Sequence, residues 1–437
     1  MKKSRLLAYV LAAALAAQLA GCATICPPPP EPPPSAAPMT VFPVNARELQ
    51  SPIGDVNPAY TQAAKGANDF AFTLSAALLA ENGGDNFVCS PYSVWLPLAA
   101  LLNAADAAHR PALTGALAAA GLTAEEINAA ASRMLYSLTD SQRTGRSPLQ
   151  IANAVFADNE VTLKKEFAQV FADYYRGAAM NVDFSSQSAV DEINKWASEH
   201  TDGLIDDIVE KFGPNTVAAI ANAVYFSDRW RWEFNAAQTR EDVFRAPGGD
   251  VTADFMRLEG GGQQYYEDER VQAAPLYFKS GGALWVLLPK DGGAEGLLAS
   301  MDQAYFDEIQ QNTADAAGTL LLPKFSVDSG VMNLKDALVS LGVPLFDEDA
   351  APLTGGLIEG GAPVWVSAAV QKAVIDVYEE GTTAAAVTVI SMDAGSALPP
   401  PAVPFEMICD KPFVFLLCGN TYDGGSQILF TGVVGRP

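Results

Sequence analysis

Apolar segments of two different periods alternate from residue 58 to the C-terminus, and none of them recurs at a fixed spacing. Residues 59–80 carry Phe70, Leu74, Ala77 and Leu78 at helical spacing and stop at Asn82-Gly83-Gly84, with Asn57 placed to cap a helix starting at Pro58. Ser90-Pro91 opens a second apolar helix. Strand-like runs follow at 150–156, 217–226, 284–288, 320–325, 364–378, 413–417 and 428–434, with helical stretches between them. The absence of a repeat of roughly 20 to 50 residues excludes solenoids and propellers. The pattern predicts a mixed α+β fold with large sheets. At about 150 residues per domain, 437 residues allow two or three domains, and equally one large interwoven domain.

The chain carries 27 Lys+Arg against 51 Asp+Glu, a formal charge of −24. Such a surface repels phosphate and sulfated polymers, so neither nucleic acid nor heparin is an expected partner. With 49% hydrophobic and 18% charged residues, the chain is too apolar for an acidic disordered tail and holds enough for a substantial core. Only two histidines, His109 and His200, are available for a zinc site or a Ser-His-Asp triad, and both read as helix-end residues. The five cysteines form no CxxC pair, and no GxSxG, GxxxxGK[ST] or HExxH occurs, so no metal or cofactor is expected. The glycines at 260–262 and 281–282 read as turns, and the acidic groups Asp206-Asp207 and 347–349 as solvated faces.

The first 21 residues read as an address. Lys2, Lys3 and Arg5 precede an apolar run over residues 6–17, too short to span a bilayer, and Leu19-Ala20-Gly21-Cys22 follows. This resembles a bacterial lipoprotein signal, which implies cleavage after residue 21, lipidation of Cys22 and a membrane partner through that lipid. Loss of those three basic residues takes the charge from −24 to −27. The tract Cys26-Pro27-Pro28-Pro29-Pro30-Glu31-Pro32-Pro33-Pro34 favours stiff polyproline II, a spacer at about 3.1 Å per residue, and residues 22–56 read as linker. The folded domain is expected over 57–437, outside the cytoplasm and anchored to a membrane.

Asn86-Phe87-Val88-Cys89-Ser90-Pro91-Tyr92-Ser93-Val94 resembles the segment that opens the second helix of serpins, the serine protease inhibitor family. Further segments resemble the family in the same order: 151–156 (IANAVF), 194–196 (NKW) with 201–205 (TDGLI), 222–226 (NAVYF) with Trp230, 322–325 (LPKF), 379–386 (EEGTTAAA), 411–415 (KPFVF) and 428–434 (ILFTGVV). The resemblance covers about residues 58–437. It implies one domain with three β-sheets, about nine helices and an exposed reactive-centre loop at about 379–404, acting as a monomer. It also implies a mechanism that is not an enzyme's: a serine protease cuts the loop, forms an acyl-enzyme, and is trapped covalently as the cut loop inserts into the main sheet.

Within the implied loop, Glu379, Gly381, Thr382, Thr383, Ala384, Ala385 and Ala386 form the hinge. Gly381 frees the backbone and the residues after it are small, as rapid strand insertion requires. Counting by twos from Thr382 places Ile390 and Met392 on the buried face and Ser391 and Asp393 outside; a one-residue slip would bury Asp393. A strand of roughly 14 residues would gain on the order of 10 kcal/mol, at about 0.5 to 1.5 kcal/mol net per hydrogen bond. Family spacing puts the reactive bond at Gly395-Ser396, with Met392 and Leu398 as alternative cut points. The lack of Lys or Arg there points to an elastase-like or subtilisin-like target. The resemblance further assigns Ser90, Ser93 and Asn222 to a shutter beneath the main sheet, with Gln371 where a histidine is common, and Trp230 and Glu379 to a breach where the loop enters. Arg257 is expected to be Glu379's ion partner. Cys89, Cys409 and Cys418 read as buried thiols, and a Cys89-Cys418 disulfide stays open. The alternative to inhibition is a non-inhibitory serpin acting as a binding or protective surface lipoprotein; a lipoprotein enzyme has no motif behind it.

Overall fold

The computed structural model describes residues 40–41, 46, 48–49, 57–82, 86–139, 149–201, 203, 205–213, 216–291, 293–382, 404–421 and 423–437. Cys22, the signal segment and the proline tract lie outside the described residues, as do Thr383, Ala384, Ala385, Ala386, Gly395 and Ser396. Nine α-helices stand among the described residues, packed on strands that link into two nine-stranded networks, the second of which divides into two sheets at one shared long strand.

In the main sheet the order is Thr40–Val41, Gly177–Val182, Leu149–Asp158, Ala218–Phe226 and Ala368–Tyr378, with Phe325–Asp328 and Met332–Asn333 on the outer edge of the last. The 218–226 strand is apolar at nearly every position because both its faces are covered. Ile220 and Val224 join the large core on one side, while Ala219, Ala221 and Ala223 meet Ile193, Trp196 and Ala197 of the helix Gln187–His200 on the other. Small alanines let that helix lie close on the sheet. Two further sheets share one long strand. Val251–Glu267 pairs with Arg240–Phe244 and Ala314–Pro323, the latter continued by Pro404–Ile408. At Tyr266 and Glu267 it crosses to Val271–Tyr277, which begins an antiparallel sheet through Ala283–Pro289, Phe413–Asn420, Ser426–Val434 and Asn86–Cys89.

Several expectations need correction. The glycines at 260–262 are no turn: they sit inside the 251–267 strand, where Gly260 (φ 117°) and Gly262 (φ 84°) make the bulge that shifts register between Ala316 and Gly318. Gly281, at φ 103°, does turn the chain between 271–277 and 283–289. The stretch 22–56 is not linker throughout: Thr40 and Val41 pair with Asn181 and Met180 along the open edge of the sheet, and Leu49 packs against the core. The run at 320–325 breaks at Lys324 into two strands of different sheets.

Asn57 does cap the first helix, Pro58–Asn82, its Oδ1 accepting from the Tyr60 amide at 2.9 Å. Ser90 occupies the cap position of Pro91–Leu101, but its hydroxyl donates instead to the Leu429 carbonyl at 2.7 Å, tying that helix to the neighbouring sheet. His109 and His200 stand at helix ends, bound to Asp106 and to the Trp196 carbonyl, both at 2.7 Å. Cys89, Cys409 and Cys418 are buried free thiols, so no Cys89-Cys418 disulfide forms. Burial pushes the Cys89 thiol up to about 11 and Cys418 up to about 12, which keeps both protonated and inert.

Candidate functional site: the seam of the main sheet

The strands 218–226 and 368–378 run parallel and are hydrogen-bonded in register from Ala219↔Ala368 to Val224↔Ala373. Beyond that point they part. The first continues into Asp228–Arg229, the second runs on to Tyr378, and Gly381–Thr382 fills the gap, pairing with Val377 and Tyr378 on one side and with Asp228 and Arg229 on the other. The start of the hinge thus already occupies the top of the seam, while the lower seam is closed.

Local chemistry explains why this wedge stays seated. Thr382 is buried, and its hydroxyl accepts from the Asp228 amide at 3.2 Å. Gly381 is buried at φ 155°, and a Cβ built on it would run into the Asp228 carbonyl and the Arg229 Cα, so only glycine fits. Trp230 lies beneath, stacked on Phe278 at 4.6 Å, with Nε1 donating to the Tyr378 carbonyl at 2.7 Å and its amide to the Glu380 carbonyl at 2.9 Å. The Phe234 amide holds the Glu379 carbonyl at 2.9 Å. The two residues assigned to the breach, Trp230 and Glu379, therefore meet there.

Arg257 does not. Its Nε bonds Glu259 at 3.0 Å, and Glu379 is held by others: the Thr239 hydroxyl at 2.7 Å and the Lys324 ammonium at 3.7 Å. Register gives the reason. Arg257 faces Leu321 in the middle of the 251–267 and 314–323 pair, whereas Lys324 follows that strand and immediately precedes Phe325, which pairs with Val377 two residues before Glu379. Lys324 also reaches Asp254 at 2.8 Å, and that bond, aided by Glu379's charge, holds its ammonium above the ordinary lysine value.

Lower in the seam, Ser90, Ser93, Asn222 and Gln371 do converge. Gln371 is fully buried; its Oε1 accepts from the Ser90 amide, and its Nε2 donates to the Ser90 carbonyl and the Ser93 hydroxyl, each at 2.9 Å. The same Nε2 lies 3.5 Å from the Asn222 Oδ1, across the seam. Asn222 donates in turn to Asn153 Oδ1 at 2.7 Å. Asn153, Asn222 and Gln371 are register partners on three adjacent strands, so their amides form one buried row. Asn153 belongs to the 151–156 motif but was given no role. On the opposite face Lys372 pairs with Asp207, in the segment after the 187–200 helix; Asp207 is therefore more than a solvated acid.

Among the described residues no cluster of His, Cys, Asp or Glu is arranged to hold a metal. The site instead consists of two parallel strands closed over six register pairs, with Gly381–Thr382 seated between their diverging ends.

Residues 65–437 match the serpin (serine protease inhibitor) family, and the chain belongs to it. It is 29% identical over 386 residues to an uncharacterized serpin-like protein of Thermococcus kodakarensis, covering 85% of this chain and 84% of that one. It is 30% identical to Serpin-Z1A of Triticum aestivum, covering 84% and 94%. Its fold is similar to that of the thermophilic serpin tengpin in the native state, with a TM-score of 0.78 at 24% identity over 90% of this chain and 98% of that one.

Proposed function

We propose that this serpin is inhibitory and acts once, as a suicide substrate of a serine protease. The observation that carries the reading is the position of Gly381–Thr382: the hinge is lodged between Tyr378 and Arg229 at the head of a seam that remains closed from Val224–Ala373 down. Cleavage frees the segment after Thr382 to continue downward from a strand already begun, so insertion starts without a nucleation step. The ladder bonds gained offset the six lost register pairs and the Gln371–Asn222 contact. A protease still esterified to the loop is carried along and distorted before it can deacylate.

The reactive bond is placed at Gly395-Ser396, and its small residues suit an elastase-like or subtilisin-like protease. The 1–21 segment and Cys22 support a lipoprotein held outside the cytoplasm, acting as a monomer on a polyproline spacer and shielding its cell from stray or foreign proteases.

The test is incubation with elastase, subtilisin, chymotrypsin and trypsin, read on a denaturing gel and by thermal unfolding. A covalent complex that survives SDS, and a large rise in melting temperature of the loop-cleaved chain, are the expected results. Complete turnover without thermal gain would sink this reading in favour of a non-inhibitory binding protein.

A further inference from the structure

We propose that a groove beside the hinge docks the body of the protease being inhibited, through an apolar side chain of that protease next to a basic one; the inference rests on the inhibitory reading above. The groove encloses about 450 Å³ and is lined by Leu258, Leu276, Tyr277 and Trp232 together with Glu259 and Asp315.

Its place in the fold is set by the two points where the loop joins the body. At one margin Asp228 and Arg229 pair with Thr382 and Gly381, and the next residues, Trp230 to Trp232, line the groove. At another, Ala317 and Gly318 pair with Pro404 and Phe405 within the strand that also supplies Asp315 and Leu320 to the lining. Thr382 and Pro404, the described residues that flank 383–403, stand at these two margins, so a protease that holds the chain between them is tethered to both sides of the groove.

The second observation is Trp232 itself. It is 51% exposed, the only aromatic among the large exposed hydrophobics of the described residues. It is also held still, with the Arg231 guanidinium 4.9 Å from its ring and Tyr277 edge-on at 6.5 Å. A fixed, half-exposed tryptophan gains little for the fold and presents apolar area at low entropic cost, the kind of residue that dominates protein interfaces. Among the charges of the lining, Glu259 is paired with Arg257 and the Arg231 guanidinium lies over the Trp232 ring, so the Asp315 carboxylate and the chain's charge of −24 select a basic side chain on the partner and steer its approach.

The experiment measures the second-order rate of inhibition by the full chain, Trp232→Ala and Asp315→Lys, with Val339→Ala as an exposed control on the distant 335–340 helix. The probe is whichever of elastase or subtilisin the unaltered chain traps faster. Trp232→Ala is expected to slow inhibition about tenfold, the loss of one ordinary interface hot spot, and Asp315→Lys to slow it further at low salt than at high. Val339→Ala should change nothing, and all variants should keep the same melting temperature, the same thermal gain on cleavage and the same number of inhibitor molecules spent per protease trapped. Rates within twofold for Trp232→Ala would overturn the groove alone. A slower rate with more inhibitor spent per protease would overturn it too, because Trp232 would then act on the hinge. Cleavage of the unaltered chain without a covalent complex would overturn the inhibitory reading and the groove together.

Discussion

Gln371 and Asn222 face each other across the seam, Nε2 to Oδ1 at 3.5 Å, in a site where neither side chain meets water. This contact is the weakest of the bonds that Gln371 makes, and the others, to Ser90 and Ser93, lie on its own side. Within this side-chain cluster, opening the seam breaks one long amide contact, on top of the backbone bonds of the six register pairs from Ala219↔Ala368 to Val224↔Ala373. The buried amide row registers the strands without locking them.

Replacing Gln371 by Leu should strand the Ser90 amide in an apolar site, while the Ser93 hydroxyl keeps its bond to the Ser90 carbonyl at 2.9 Å. The cost is about 1–3 kcal/mol, seen as a lower midpoint in urea unfolding. Gln371→His has a distinct signature. Burial would push the imidazole below its ordinary value near 6.5, so the variant keeps its stability above that pH and loses it as the pH falls further, while the unaltered chain stays flat between about pH 5 and 7. A flat profile for the histidine variant would show that water reaches the row.

Glu379 should depend on Lys324 and Thr239 and not on Arg257. Lys324→Glu places like charges together at the head of the seam and is expected to lower the thermal midpoint, more at low salt than at high. Arg257→Glu should move it by less than about 0.5 kcal/mol, the range usual for surface changes. Folding raises the lysine's pKa, so this support is full below about pH 10.4 and fades only at higher pH. Neutral-pH titration should leave it untouched. Equal effects of the two substitutions would return Arg257 to the role that the chain order suggested.

These two sites show what was legible in the chain and what was not. Ser90, Ser93 and Asn222 were readable because each sits in a recognisable motif, Gln371 because it lies in the strand-like run that leads into the 379–386 motif, and the doubly covered 218–226 strand announces itself by apolarity at every position but Asn222. Lys324 also lay in a motif, but its partner depends on where one strand stops and the next begins, a register that only the folded sheets determine. The 251–267 strand was hidden by its glycines, since local composition cannot tell a bulge from a turn. Thr40–Val41 was hidden by its proline-rich neighbourhood, because pairing at a sheet edge needs a partner 140 residues away. The entry of Gly381–Thr382 into the sheet is a tertiary fact, which no periodicity expresses.

Asp207 should contribute a small, acid-sensitive part of the stability. Its carboxyl is held below the usual aspartate value, first by its bond to Lys372. Since folding lowers that pKa, the contribution is complete above the unfolded value near 3.9 and disappears as the pH drops through the lower folded value. The side chain is largely exposed, so the amount is at most about 1 kcal/mol. Asp207→Asn should lower stability by that amount at pH 7 and match the unaltered chain once the pH is well below the lowered folded value.

Gly381→Ala tests whether the hinge must be seated for the fold to be stable. The added Cβ meets the Asp228 carbonyl and the Arg229 Cα, and the positive φ adds strain, so the wedge should be expelled at a cost of about 1–3 kcal/mol. Faster proteolysis within 379–404 and a lower melting temperature are the expected readings. An unchanged cleavage rate would mean that the wedge survives by shifting Arg229.

Thr382→Arg addresses the mechanism most directly. Thr382 is the last described residue of the hinge, 2% exposed, with its hydroxyl bonded to the Asp228 amide and its side chain between two strands. An arginine there cannot be buried without a partner, and Glu379 is already engaged by Thr239 and Lys324. The loop would still fit a protease cleft, because the substitution lies about thirteen residues from Gly395. Acylation should proceed at the ordinary rate, insertion should slow, and the acyl-enzyme should hydrolyse first. The variant is therefore expected to be consumed as a substrate, giving cleaved chain and free active protease where the unaltered chain gives a covalent complex. Retention of the complex at the same stoichiometry would show that insertion does not need residue 382 seated between Val377 and Asp228.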